Sequence, residues 1–163
     1  MRIAVDDKVV RTLSLGTLTA GKRTVTWNGR RGSGSVVASG RPVVTVEAVT
    51  ALGRTSVTAD LVVDLTAPRL YATSGTSTSL GGLVRLSCKA VDAFSGRVDV
   101  SYDVTDAKGG RVASGHPGLT PVGQDLDVGW RPSSRGTYTV TWRGVDAAGN
   151  HEAAPATTVV TVR

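Results

Sequence analysis

The chain is poor in the residues that staple small domains or perform chemistry. It has a single cysteine, Cys88, two histidines, His116 and His151, and few aromatic side chains. One cysteine cannot close an intrachain disulfide, so no part of the fold is covalently braced. The histidines fall in no i, i+4 pair, His-x-His pair or cysteine-rich spacing, and zinc ligation is not expected of them. No apolar run approaches the roughly 20 residues that cross a bilayer. The opening Met1-Arg2-Ile3-Ala4-Val5-Asp6-Asp7 lacks the apolar core of an export signal. Neither a Gly-x-Gly-x-x-Gly fingerprint nor a P-loop occurs. Gly32-Ser33-Gly34 reads as a flexible turn and not as the strained elbow that presents a nucleophilic serine.

What is abundant is glycine, 20 residues in 163, together with threonine, serine and valine. That composition describes an all-β protein with many turns. A phrase also occurs twice. The first copy is Val25-Thr26-Trp27 followed by Gly40 to Gly53, and the second is Val128-Gly129-Trp130 followed by Gly136 to Asn150. Self-similarity on this scale marks tandem modules. The expected division is residues 1–66 and 67–163, joined by Val63-Asp64-Leu65-Thr66-Ala67-Pro68. Pro68 fixes its own φ and biases Ala67 towards extended backbone, which predicts a short, stiff joint.

In the second half, period-2 alternation predicts inward rows at Val84, Leu86, Cys88 and Ala90, and at Val98, Val100, Tyr102 and Val104. Further rows follow at Leu126, Val128 and Trp130, and at Tyr138, Val140, Trp142 and Gly144. Asp106 to Gly110 and Asp146 to Asn150 read as turns, and Gly115-His116-Pro117-Gly118 as a turn-rich loop after a short segment at Arg111 to Ser114. With strands near Arg69 to Thr73 and Thr157 to Val162, about seven strands are expected, the count of an immunoglobulin-like sandwich. The first half offers only the later part of this order: a hairpin from Arg2 to Val5 and Val9 to Leu13, a tryptophan strand from Thr24 to Trp27, and strands at Val43 to Ala48 and Val57 to Val63. Its two opening strands have no counterpart, which predicts an exposed sheet edge and a partly open inner face.

The net charge is +6 and the isoelectric point near 10.1. The basic residues are scattered one per strand or turn, with Arg30-Arg31 the close pair, so they read as a solvated face and not as a nucleic-acid site. Trp27, Trp130, Trp142, Tyr102 and Tyr138 fall in inward rows, leaving Tyr71 and Phe94 as weak support for a sugar platform. Cys88 points inward and reads as a small hydrophobe, not a nucleophile. Asp64, Asp146 and Asn150 are oxygen donors that could serve calcium. Asp-x-x-Gly-Asn is also an ordinary turn, and that reading is preferred.

Val9-Val10-Arg11-Thr12-Leu13, Gly21 to Arg30, Gly34 and Val37-Ala38-Ser39-Gly40 together resemble the Ig-like domain of the bacterial flagellar hook-capping protein, a type that recurs in secreted bacterial proteins. That pattern is a Val-Arg-Thr-Leu strand, a Thr-Trp-Asp-Gly-Arg turn and a Gly-Thr-Tyr strand ending in Ala-x-Asp-x-x-Gly. The second half carries its tail in Gly136-Thr137-Tyr138-Thr139-Val140 and Val145 to Asn150, and Asp64 to Pro68 resembles the seam of bacterial surface Ig repeats. The first half departs from the pattern at Asn28, at Pro42 and at Leu52-Gly53-Arg54, which makes it the weaker match.

The expectation is therefore two tandem Ig-like β-sandwich domains, the first lacking its opening strands, without catalytic, cofactor-binding or metal-ligating residues. The resemblance implies structural repeats of a longer exported or cell-surface protein that position neighbouring domains, and the missing opening strands lead to the expectation that Met1 is an internal methionine, a misassigned start or the end of an isolated fragment. A strand-exchanged homodimer is the expectation if the shortened first domain is genuine. The rival function is a binding module for cell-wall glycan or another anionic polymer.

Overall fold

The structure, a computed structural model, describes residues 1–5, 7–19, 21–72 and 76–163, with only the backbone of Thr76. Every regular element among them is a β-strand. The chain divides into two compact units, Met1–Leu65 and Thr66–Arg163.

The second unit is an immunoglobulin-like sandwich. Its strands are β5 (Arg69–Ala72), β6 (Thr76–Thr78), β7 (Val84–Val91), β8 (Arg97–Asp106), β9 (Arg111–Pro121), β10 (Asp125–Trp130), β11 (Gly136–Asp146) and β12 (Ala156–Val162). One sheet has the order β10-β7-β5 and the other β6-β12-β11-β8-β9. All pairings are antiparallel except β6 on β12. The short β6 is a strand that the sequence reading did not anticipate; Thr73, part of the expected opening strand, lies outside the described residues.

Alternation builds this core as expected. β7 shows a strict buried/half-buried or exposed alternation, and β11 places Tyr138, Val140, Trp142, Gly144 and Asp146 inward. Leu70, Leu86, Cys88, Val98, Val100, Val104, Trp142 and Val160 meet between the sheets. Each such aliphatic side chain contributes about 1.5–3 kcal/mol of hydrophobic stabilisation. The rings pair off: Tyr102 lies 5.1 Å from Trp142, and Trp130 stands edge-on to Tyr138 at 5.0 Å. The Tyr138 hydroxyl donates to the Ser134 carbonyl at 2.9 Å. A tyrosine tied back to the chain just before its strand is a recurrent corner of Ig-like sandwiches.

Gly115 to Gly118 is not the loop expected of it. β9 runs unbroken from Arg111 to Pro121, and the register against β8 slips between Val100 and Tyr102, whose partners are Gly118 and Gly115. The extra residues form a bulge, with Gly118 at φ +83°. Gly115 is where the Tyr102 ring crosses the neighbouring strand, so close that a Cβ would overlap the ring.

The first unit is one antiparallel sheet of β1 (Arg2–Val5), β2 (Lys8–Thr12), β3 (Val43–Thr50) and β4 (Gly53–Asp60), in the order β2-β1-β3-β4. This repeats the order β9-β8-β11-β12 of the second unit. Nothing among the described residues repeats β5 and β7. The consequence is visible in the paired copies of the phrase: Trp142 is 0% exposed, whereas Val46, at the matching place on β3, is 36% exposed. Ile3 and Val37 are buried. The loop from Leu13 to Pro42 is tied by hydrogen bonds from Val37 N–H to the Gly29 carbonyl and from Gly32 N–H to the Val10 carbonyl, each at 2.8 Å.

Thr24 to Trp27 is not a strand, contrary to the sequence reading. Its counterpart β10 exists because β7 offers it a ladder from Trp130↔Val84 to Asp125↔Lys89. Without a strand in the place of β7, the same phrase has no partner for its N–H and C=O groups. Trp27 is half-buried rather than in a core, and its indole N–H caps the Arg30 carbonyl at 2.9 Å. The strand expected at Val57 to Val63 is also displaced, to Gly53–Asp60.

Candidate functional site

The side chains able to do chemistry are dispersed, and the fold itself occupies most of them. Cys88 sits inward on β7, where burial pushes its thiol up to about 11 against a weaker opposing hydrogen bond at the Tyr71 backbone. A thiol held protonated is a poor nucleophile. His116, on β9, places Nε2 2.7 Å from Asp99 Oδ1 across the strand pair. A carboxylate-oriented histidine needs a hydroxyl or thiol on its other side to activate a nucleophile. No such hydrogen bond to His116 exists among the described residues. His151 forms an isolated bridge with Val145. Ser33 contacts the Ser35 hydroxyl at 3.0 Å on an exposed turn.

Asp146 is a buried carboxylate, and its partners show what it is for. Oδ1 accepts the N–H groups of Ala148 at 2.8 Å and Asn150 at 2.9 Å, and Oδ2 accepts the Asn150 side-chain amide at 2.8 Å. Gly149, at φ +88°, closes the turn onto the Asp146 carbonyl. Asp106 builds the same turn: its Oδ1 accepts from Lys108 at 2.9 Å and Gly110 at 2.8 Å, and Gly109 sits at φ +81°. Two loops of one design, one buried and one exposed, identify the Asp-x-x-Gly sequence as hairpin architecture. Burial pushes the Asp146 carboxyl up, but the hydrogen bonds from Asn150, Ala148 and Gly149 outweigh it and hold the group below its ordinary value. The Asn150 amide also reaches the Thr66 carbonyl at 3.3 Å.

Asp92 is the residue the sequence reading passed over. Its Oδ1 accepts the N–H groups of Phe94 at 2.8 Å and Ser95 at 2.7 Å, which makes Asp92 to Ser95 an Asx turn. Its Oδ2 is buried without a hydrogen-bond partner among the described residues, and the carboxylates of Asp92 and Asp146 approach within 4.8 Å. The signal in the sequence was Asp-x-Phe-Ser-Gly after an inward row. Asp64, weighed for calcium together with Asp146 and Asn150, belongs to the first unit.

The basic residues are spread among acidic partners. Arg2 and Arg54 flank Glu47 on the first sheet, while Arg111 and Arg143 share Asp103 at 3.3 and 3.0 Å. On the outer face of β5-β7-β10, a groove of about 430 Å³ is lined by Tyr71, Arg85, Lys89, Asp125 and Asp127. Arg85 pairs with Asp127 at 3.6 Å and Lys89 with Asp125 at 3.9 Å. Tyr71 is exposed there. Alternating charge of this kind leaves no stripe for a polyanion.

A two-sheet sandwich with a tyrosine corner, preceded by a sheet of the same strand order, defines a pair of Ig-like β modules. Residues 4–51, within the first unit, match the family described as the FlgD Ig-like domain. The match falls on the copy that departs more from the pattern. Among solved structures, the CARDB domain of a Pyrococcus furiosus protein, crystallised in complex with di-metal ions, is similar at 17% identity, covering 62% of this chain and 95% of that one, with a TM-score of 0.41. Domains 4 and 5 of the S-layer protein SbsC are similar at 16% identity over 99% of each chain, with a TM-score of 0.33. No curated protein matches the chain.

Proposed function

We propose that this chain is a non-catalytic pair of Ig-like modules that acts as a structural spacer or scaffold in an exported, cell-surface bacterial protein and positions that protein's neighbouring domains. The observation that carries this reading is the consumption of its reactive groups. The cysteine is buried with its thiol pushed up, the buried aspartate accepts turn N–H groups, and His116 is engaged by Asp99. A scaffold needs only shape and stability, and the match to the FlgD Ig-like domain within the first unit fits such a role. A second reading, a module for wall glycan, is favoured by one observation: exposed Tyr71 above a polar groove is the arrangement on which a sugar ring stacks.

The two readings separate in a binding experiment on the full chain. Purified wall glycan, titrated across a salt series, should be ignored by the wild-type chain if it is a spacer, while antibodies to the chain label intact cells. Retention on the glycan that Tyr71→Ala abolishes would replace the spacer reading with the binding one. Failure to label intact cells would refute the surface location.

A further inference from the structure

The sheet of the first unit ends on a strand whose free edge is complementary to itself. β4 pairs with β3 on one side and with no described strand on the other, and all eight of its residues are exposed. In an antiparallel ladder, residues that give both N–H and C=O to the neighbour alternate with residues that give neither. Two bonds fix the phase here: Leu61 N–H to the Pro42 carbonyl and Val63 N–H to the Gly40 carbonyl, each at 2.9 Å. Odd-numbered residues of β4 therefore face β3. Arg54, Ser56, Thr58 and Asp60 aim their backbone polar groups outward.

Natural sheets blunt such edges with proline, lysine, bulges or brevity. β9 carries Pro117 and a register shift, and β2 is short, carries Lys8 and pairs with β1 through an irregular register. β4 has a regular eight-residue register and none of these devices. In the second unit, the strand at the same place in the sheet order, β12, gives part of its outer edge to β6.

We propose that β4 pairs antiparallel with β4 of a second copy of this chain, about a two-fold axis at Val57. In that register Arg54 of each copy stands opposite Asp60 of the other, and Ser56 opposite Thr58. These are the outward-facing residues, so they occupy the hydrogen-bonded positions of the new ladder. Val57 meets its own counterpart at a non-hydrogen-bonded position, where side chains approach most closely. On the face that carries Ile3, the Thr55, Val57 and Ala59 rows of both copies join; Val57 is 66% exposed in the single chain. A slip of the pairing by one step in either direction removes both Arg54–Asp60 pairs. Opposite charges set symmetrically about one residue are what an isologous contact requires and what an unrelated strand has no need of. Glu47, already paired with Arg54 across β3, holds the guanidinium on the same face.

Sedimentation velocity on the full chain, from about 1 to 500 μM, tests this against three variants, with circular dichroism melts to show that each remains folded. Thr58→Pro removes an outward N–H that β3 does not use. Asp60→Arg sets like charges opposite each other, and Arg54→Asp with Asp60→Arg restores the pairing with its signs exchanged. The expected result is a monomer–dimer equilibrium whose Kd rises at least about tenfold in each single variant and recovers in the double one. A wild-type chain that stays monomeric throughout, or a dimer indifferent to Thr58→Pro and Asp60→Arg, would overturn the proposal. Protection of the β4 amides only when another protein is added would also overturn it, by assigning the edge to a foreign strand.

Discussion

At the scale of single residues, one glycine and one aspartate do work that composition does not reveal. A Cβ on Gly144 would meet Leu70 Cδ1 at 2.7 Å and Val98 Cγ1 at 2.9 Å, so the glycine is the gap through which the two sheets interlock. Gly144→Ala should therefore destabilise the second unit by about 1–3 kcal/mol through overpacking, read as a lower denaturant midpoint with an unchanged slope. Asp146 makes a different prediction. Its carboxyl is held below the ordinary 3.8, so the unfolded chain binds a proton that the folded one refuses. The stabilisation is complete above the unfolded value and is lost as pH falls through the folded one. Between about pH 5 and pH 2 the wild-type melting temperature should fall more steeply than that of Asp146→Asn, which starts lower at neutral pH. Equal slopes would mean that the turn hydrogen bonds do not favour the charged form.

At the scale of elements, the two copies of the tryptophan phrase are a controlled comparison. Leu126 to Trp130 lies in a ladder with β7, while Thr24 to Trp27 lies in none. Hydrogen exchange should show slow amides in β10 and fast ones at Thr24, Val25 and Thr26, whereas comparable protection of both would contradict the assignment. Strand formation depends on a partner as much as on propensity, since an unpaired extended segment leaves its peptide groups to water. The same reasoning explains β9. Gly115-His116-Pro117-Gly118 has turn composition, yet β8 offers a long partner on one side and the bulge takes up the surplus residues. Local chemistry proposed a loop and the neighbouring strand drew it into the sheet.

At the scale of the whole molecule, the units have very different cover. The second encloses a core between two sheets, with Trp142, Val140 and Val160 fully buried. The first is a single sheet in which Ile3 and Val37 are enclosed while Val46, Val49 and Val57 are not. An open face and a regular edge are the features through which sheets recruit further strands. They also suit a scaffold, whose task is contact with neighbours and not turnover. The all-β class, the repeat, the inward rows of β7, β8 and β11, and the turns at Asp106 and Asp146 were determined by the sequence itself, because alternation and turn chemistry act between residues close along the chain. The tertiary structure alone decided that Trp27 leaves the core, that His116 meets Asp99, that Asp92 approaches Asp146 and that β4 lies at an edge. Each of these depends on which distant strand becomes a neighbour, and that choice is made by packing across the sheet and not by any local pattern.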